Sequence, residues 1–538
     1  MQACRRDKSD FSRTQAVDRC ASRAKSTLIY THGKVTKKDK RNISWIINKM
    51  ELHTKPNMSN QEKNAICKVE TAFKETTKMD NQDIYGAFQS KDLIVGIEKS
   101  ENNEAGDSHP TSDHPTSYLE TLMHLFKGNV GSGIFALGDA FKNAGIILGP
   151  CLTLFLGFIC VHAQHMLLNC NEEVRRRVGD SSTVQPGFAG TVELCFATGP
   201  LRFRKYSVLI RKLVNVFLCV TQLGFCCVYF VFISKNMNQV LSVYEINISV
   251  GVLMAIVLIP IMLSTWIRNL KYLVPLSSIA NFLIIVGYIA TMYIMSHDLP
   301  PIQERKYVAS WSTLPLFFGT VIYSFEGITL VLPLKNEMKK PKNFDKPFGV
   351  LNVGMVIVAI MFVAIGFFAY LKYGDDVQGS VTLNLGSAII PGHTDGFLSS
   401  LPQCIKICIC ISILFTYALQ FYIPVAIIWP GITSRFGPFA WPTVAEICFR
   451  SLLCLVTFIL AEAIPHLNLF ISLVGAVSST ALALLFPPII EMVVCWQSAT
   501  LGIFTITKDI LILLIGLLGF VTGTYESITS IVEAFSKQ

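Results

Sequence analysis

Two apolar stretches of this sequence combine clustered glycines with polar side chains, a pattern that can free backbone groups for binding. The first reads HLFKGNVGSGIF and contains Gly128, Gly131 and Gly133 beside Asn129 and Ser132. Each glycine costs about 1 kcal/mol in a helix relative to alanine, so the three together favour local unwinding. Taken alone, the stretch fits equally well a small-residue face for helix packing.

The second stretch reads FFGTVIYSFEG, followed by Pro333, and includes an acidic side chain inside a hydrophobic run. Such an acid is costly to bury in a membrane, and it marks a functional candidate. Unpaired backbone groups survive at membrane depth only where they line a cavity or bind something. The candidate binding residues of this stretch are Thr320, Ser324, Phe325, Glu326 and Gly327.

Together, the two broken stretches predict a site for a small zwitterion. Amino-terminal ends of half-helices present N–H donors to an anionic group, whereas unwound carbonyls accept from a cation. Free amino acids are the commonest small zwitterions, and a glycine-lined pocket favours small ones. Gln222 and Tyr417 are further polar residues that we expect to face this site.

A histidine lies four residues before Gly128, on about the same helical face. His124 is therefore a candidate proton carrier, because the unperturbed pKa of histidine is about 6.5. A hydrogen-bonded histidine with a purely structural role is an equally good interpretation of this position alone.

The composition indicates a multi-pass membrane protein. The 538 residues are 51% hydrophobic and only 15% charged. Residues 1–117 contain 20 of the 46 Lys and Arg residues, which leaves the remainder poor in charge. A spanning helix needs roughly 20 apolar residues, so we predict eleven spans, at 121–142, 147–168, 213–233, 249–267, 273–295, 313–334, 348–371, 399–429, 441–463, 467–491 and 508–530.

The loops predict the orientation of these spans. With the amino terminus in the cytosol, the predicted inner loops carry 17 Lys and Arg residues and the outer loops five. We therefore expect a disordered cytosolic tail over 1–117, a transporter domain over 118–530 and a short non-cytosolic tail over 531–538. Asn247, in an N-I-S sequon of an outer loop, is a candidate glycosylation site.

Several segments resemble the proton-assisted amino acid transporters, a branch of the amino acid/auxin permease group. The resemblance runs from Leu119 to about Tyr525 and keeps the order of the family. The matching segments are TLMHLFKGNVGSGIF, FKNAGIILGP, VTQLGFCCVYFVF, LPLFFGTVIYSFEGITLVLPL, GSVTLNL, QFYIPVAIIWPGITSRF and VGAVSSTALALLFPPIIE.

The resemblance implies an all-α membrane protein with eleven transmembrane helices. They would form a five-plus-five inverted repeat of the amino acid–polyamine–organocation type, with helices 1 and 6 discontinuous. It also implies symport of small neutral amino acids, of the glycine, alanine and proline class, with protons at the plasma or lysosomal membrane. In such proteins the position of His124 is assigned to proton coupling, and the broken helices are assigned to substrate.

Three positions depart from the usual pattern of that family. Gly138 replaces a proline, and Lys335 and Ala426 each replace a glutamate. The last two adjoin helix ends that should move during transport. The three departures and the unusual tail leave an amino acid sensor that transports little as an alternative, and an uncoupled facilitator is a third interpretation. The sequence has no motif for an enzyme active site, a cofactor, a metal or a nucleic acid.

Overall fold

The computed structural model describes residues 116–178, 186–268, 270–387, 400–437, 439–464, 466–498 and 500–536. Nearly all of the predicted amino-terminal tail lies outside these residues. The last helix continues to Ser536, beyond the predicted domain boundary at 530.

The described residues are almost entirely helical, with one isolated β-bridge between Thr116 and Met338. Two π-helical turns, Gly475–Ser479 and Ala481–Leu485, join the helices Leu467–Val474 and Phe486–Gln497 into one long helix. The helices of eight or more residues are α1 (Tyr118–Asn129), α2 (Ser132–Ala144), α3 (Leu148–Val178), α4 (Phe188–Ala197), α5 (Ser207–Val243), α6 (Val250–Thr265), α7 (Leu270–Met295), α8 (Leu314–Ser324), α9 (Ile328–Glu337), α10 (Val350–Tyr373), α11 (Leu401–Phe436), α12 (Pro442–Ala463), α13 (Leu467–Val474), α14 (Phe486–Gln497) and α15 (Ile503–Ser536).

Nine helical segments among the described residues are long and apolar enough to cross a membrane. These nine correspond to nine of the predicted spans. The other two predicted spans coincide with the α1–α2 pair, which is interrupted, and with α6, which has only 16 residues. The structure is therefore that of a helical multi-pass membrane protein.

The beginning of α1 is fixed by local capping and by the end of α9. Ser117 and Glu120 form a capping box, in which the Ser117 N–H donates to Glu120 Oε2 over 2.7 Å. The Thr116 N–H donates to the Glu337 carbonyl over 2.8 Å, and the Lys339 N–H donates to the Thr116 carbonyl over 2.9 Å. These backbone bonds join a residue just before α1 to the last residue of α9 and to the segment that follows it.

The π-helical segment packs against α8 at backbone distance. A Cβ atom added to Gly475 would overlap the carbonyl oxygen of Gly319, and one added to Gly319 would overlap the carbonyl oxygen of Ser472. The Ser472 hydroxyl also donates to the Leu316 carbonyl over 3.2 Å. π-Turns often occur at functional sites, and here the turn fixes a close helix contact beside the break between α8 and α9.

We expect Gly475→Ala to lower the stability of the folded protein by about 1–3 kcal/mol, because its methyl group overpacks the α8 contact. Gly431→Ala is the matched control, since no atom lies within 4 Å of the added Cβ there. Thermal unfolding of the detergent-solubilised protein measures both variants. Equal melting temperatures for the two would contradict the close contact.

Candidate functional site

The first helix interruption lies between α1 and α2. Val130 (φ −94°, ψ 89°) and Gly131 (φ −129°, ψ −147°) leave the helical conformation, and α2 begins at Ser132. The Asn129 side-chain amide donates to the Leu125 carbonyl over 2.9 Å, whereas its buried Oδ1 has no hydrogen-bond partner. The break therefore carries an unsatisfied acceptor.

The second interruption lies between α8 and α9. Phe325 (φ −85°, ψ 8°) ends α8, and Gly327 (φ −143°, ψ 0°) precedes the first residue of α9. The Phe325 N–H still donates to the Val321 carbonyl, and the Glu326 N–H donates to the Tyr323 carbonyl over 3.3 Å. Both of the interruptions expected from the sequence are thus present.

The two interrupted helices contact each other directly. Ser324 Oγ donates to the Gly133 carbonyl over 3.1 Å and to the Thr320 carbonyl over 2.8 Å. A Cβ atom on Gly133 would lie 2.9 Å from Ser324 Oγ, and one on Gly327 would lie 2.5 Å from Asn129 Oδ1. The absence of side chains at these glycines allows the approach.

The electrostatics of the two breaks are complementary to a zwitterion. Neither α2 nor α9 has a side-chain cap at its amino-terminal end. Uncapped amino-terminal ends present N–H donors and a partial positive charge, and the carboxyl-terminal ends of α1 and α8 present carbonyls and a partial negative charge. Hydrogen-bond donors with a partial positive charge and acceptors with a partial negative charge therefore occur together where the two breaks meet.

α5 supplies aromatic side chains beside the breaks. The Phe225 ring lies 4.7 Å from the Tyr323 ring, and an added Cβ on Gly131 would lie 3.9 Å from the Tyr229 hydroxyl. Gln222 is buried, with an unpartnered Oε1, one helical turn before Phe225. The spacing of 222, 225 and 229 places these residues on one face of α5.

Sequence reasoning missed Tyr323, Phe225 and Tyr229. Tyr323 links the two breaks, because its hydroxyl lies 3.0 Å from Ser132 Oγ. The sequence contained two signals for them. Phe225 and Tyr229 lie three and seven residues after Gln222, and Tyr323 directly precedes Ser324. Aromatic residues are too common in membrane helices for either signal to be decisive alone.

Other predicted site residues lie elsewhere. The Tyr417 hydroxyl is 2.8 Å from Thr457 Oγ1 of α12. Gly128 faces Leu330 of α9. Half-buried His124 lies one turn further from the break on α1, and Asn247 lies exposed between α5 and α6.

Glu326 is placed differently from the rest of the predicted binding set. Its side chain is only 5% exposed, and neither carboxyl oxygen has a hydrogen-bond partner. Its polar neighbours are Ser479 of the π-helical segment and Cys160 of α3. The residue therefore belongs to the second break, but its carboxyl group lies among α3 and the π-helical segment.

The positions that depart from the family pattern have local explanations in two cases. Lys335 Nζ lies 2.9 Å from Asp345 Oδ2 and 3.7 Å from Glu172 Oε1, so its positive charge is paired. Gly138 packs closely on α10, because an added Cβ would lie 2.8 Å from that of Ala369. Ala426 is buried on α11, and nothing in the structure explains its replacement of a glutamate.

Fold and site together define a multi-pass membrane protein with two discontinuous helices in mutual contact. Residues 114–529 match the family described as transmembrane amino acid transporter protein. The chain belongs to this family, which confirms the resemblance inferred from its motifs. Its relatives are transporters and not enzymes.

Two curated proteins illustrate the relationship. The chain is 35% identical over 426 residues to the proton-coupled amino acid transporter-like protein pathetic of Drosophila melanogaster, covering 79% of this chain and 87% of that protein. It is 26% identical over 439 residues to the probable amino acid transporter skat-1 of Caenorhabditis elegans, covering 77% and 90% respectively. Among solved structures, it aligns with Mhp1, a nucleobase-cation-symport-1 family transporter, with a TM-score of 0.49 and 12% identity over 80% of this chain and 95% of Mhp1.

We expect Lys335→Glu to lower the free energy of unfolding by about 2 kcal/mol. This value lies between the losses typical of breaking an exposed ion pair and a fully buried one. The new carboxylate would face Asp345 and Glu172 with like charge. Adding Asp345→Lys should recover most of the loss, and the melting temperatures of the single and double variants measure the coupling. If the effects of the two substitutions on the melting temperature were purely additive, Lys335 and Asp345 would not stabilise each other.

Proposed function

We propose that this protein is a proton-coupled symporter of small neutral amino acids that works by alternating access. The proposal rests on the contact between the two helix breaks. There the uncapped amino-terminal ends of α2 and α9 occur together with the carboxyl-terminal ends of α1 and α8, which present carbonyls. The proposed architecture is eleven spans in a five-plus-five inverted repeat. The amino terminus is cytosolic, the carboxyl terminus is non-cytosolic, and the membrane is the plasma or the lysosomal membrane.

The substrate α-carboxylate binds the free N–H groups at the start of α2, around Gly131, Ser132 and Gly133. Its ammonium group binds carbonyls at the ends of α1 and α8, where the buried Oδ1 of Asn129 is a further acceptor. This assignment places each charged group of the substrate at the helix end whose partial charge has the opposite sign. The backbone of Phe325 to Gly327 completes the second break, with Thr320 and Ser324 on the α8 side.

The substrate side chain lies toward Gly131 and the α5 wall of Gln222, Phe225 and Tyr229. Phe225 packs edge-on against Tyr323, so this wall is largely aromatic. A small neutral side chain suits such a space, because a charged group would be desolvated there without a counter-charge. Tyr417 contributes only indirectly, through the packing of α11 on α5.

Alternating access requires the outer and inner halves of the broken helices to move separately. The Thr116 backbone bonds couple the far ends of α1 and α9, so these halves move as a pair. The Lys335 ion pairs connect the end of α9 to α3 and to the following loop. These contacts form the inner closure in the proposed orientation.

His124 is the proposed proton-coupling residue on α1. Its charged neighbours are Lys127, Glu337 and Glu120, so protonation would change a local network at the coupled ends of α1 and α9. A histidine can exchange protons near neutral pH. Protonation there biases the position of the α1–α9 pair.

We expect proteoliposomes to accumulate glycine, alanine and proline faster with an outside pH of about 5.5 than of about 7.5, in the range where histidine titrates. Radiolabel uptake with an imposed pH gradient measures the effect. His124→Ala should retain amino acid exchange and lose gradient-driven accumulation.

The same assay separates the alternatives. Exchange without accumulation in the unaltered protein would identify an uncoupled facilitator. Amino acid binding without uptake or proton current would identify a sensor. Because Asp345 and Glu172 balance the charge of Lys335, this departure from the family gives the sensor no specific support.

We expect Gly131→Ala to discriminate among substrates. Its negative φ accepts alanine, and the added methyl group would point toward Tyr229 without a clash. The methyl group occupies space that the substrate side chain needs, so the KM for proline should rise about tenfold, as for one misplaced methyl group in a pocket. The KM for glycine should rise less, and an equal rise for both would place the substrate side chain elsewhere.

A further inference from the structure

Glu326 combines deep burial with a complete lack of hydrogen-bond partners for its carboxyl oxygens. The ion pairs found among the described residues, such as those of Lys335 and Lys508, involve other acids. The Glu326 carboxyl group therefore has no counter-charge in this conformation, and its neighbour able to form a hydrogen bond is the Ser479 hydroxyl.

The groups that face Glu326 come from several elements. α3 contributes the Cys160 thiol, and the π-helical segment contributes the Ser479 hydroxyl, which is itself without a hydrogen-bond partner. The adjacent Phe325 packs against Gly157 of α3 and Phe362 of α10. The surroundings are thus apolar or weakly polar, and Cys160 is the one titratable group among these neighbours.

An ionised carboxylate in these surroundings would lose its hydration without a compensating charge. A protonated carboxyl group avoids that cost and can donate to a neighbouring oxygen such as Ser479 Oγ. Burial without a counter-charge therefore favours the protonated form of Glu326 in this conformation.

We infer that Glu326 is a second proton-carrying residue, whose carboxyl group lies beside α3 and the π-helical segment. This inference rests on the proposed function and deepens it. A carboxylate exposed to the outer solution takes one proton to become a carboxylic acid, and it returns that proton to water on the inner side. No other bond forms or breaks.

The position of Glu326 explains how protonation couples to movement. It lies in the non-helical junction between α8 and α9. α8 is fixed to the π-helical segment through Gly319 and Gly475, whereas α9 is joined to α1. Movement of α9 relative to α8 therefore changes the exposure of the junction, and a charged carboxylate opposes its reburial.

Glu326 is also distinct from His124. His124 lies on α1 beside Lys127, Glu120 and Glu337, and none of these charges is a neighbour of Glu326. Each interrupted helix thus carries one of the two proposed proton carriers, His124 on α1 and Glu326 at the junction between α8 and α9.

The test uses the full chain reconstituted in liposomes, with Glu326→Gln as the principal variant. Glutamine resembles the protonated acid and does not titrate. We expect Glu326→Gln to lose accumulation of labelled alanine driven by a pH gradient, and a counterflow exchange assay on the same liposomes measures alanine binding and translocation separately. Glu326→Asp, which restores a titratable group, should recover part of that accumulation.

Glu533→Gln is the matched control, since it makes the same chemical change at an exposed position near the end of α15. It should accumulate alanine as the unaltered protein does. Gradient-driven accumulation by Glu326→Gln equal to that of the control would overturn the inference. Absence of pH-driven accumulation in the unaltered protein would instead overturn the proposed function.

A second measurement does not depend on transport. Infrared difference spectra of the purified protein between acidic and alkaline buffer should contain the carbonyl band of a protonated carboxylic acid. Because the other Asp and Glu side chains absorb in the same region, Glu326→Gln should lack one component of this band that Glu533→Gln retains. An unchanged band in Glu326→Gln would contradict protonation of this residue, even if the variant were too unstable for transport assays.

Discussion

The organisation of this protein depends on one constraint: backbone N–H and C=O groups within a membrane must find partners. The regular helical hydrogen bonds are interrupted between α1 and α2 and between α8 and α9. The two interruptions lie where these helices contact each other. Ser324 bonds to the Gly133 carbonyl, and Ser132 bonds to Tyr323. Each break therefore supplies part of the polar environment of the other, and the remaining unsatisfied groups are available to a ligand.

Glycine makes this arrangement possible through space as well as flexibility. At Gly133 and Gly327 an additional carbon atom would collide with the opposite break. At Gly475 it would collide with the backbone of α8. The unwound region is consequently held between close contacts on both sides, and a small change in helix position alters several hydrogen bonds together.

The sequence predicted the helical class, the membrane character and both interruptions, because glycine clusters and apolar windows are local signals. It could not predict which side chains meet across the breaks, since contacts such as Ser132 with Tyr323 join residues 191 positions apart. Tyr417 illustrates the same limit. Its hydroxyl bonds to Thr457 of α12, a residue 40 positions further along the chain. The partners of Lys335 were equally invisible before α3 and the loop after α9 were placed beside it.

Charge is distributed unevenly between the centre and the ends of the interrupted helices. The ends carry paired charges, such as Lys335 with Asp345, and the neighbourhood of His124 also contains both signs. The centre contains one carboxyl group, Glu326, without a counter-charge among its neighbours. A neutral zwitterion can enter such a centre without adding net charge, whereas ionisation of Glu326 would add a charge that the site does not balance. In the proposed function, the same low-dielectric surroundings favour both protonation of Glu326 and closure around a neutral amino acid.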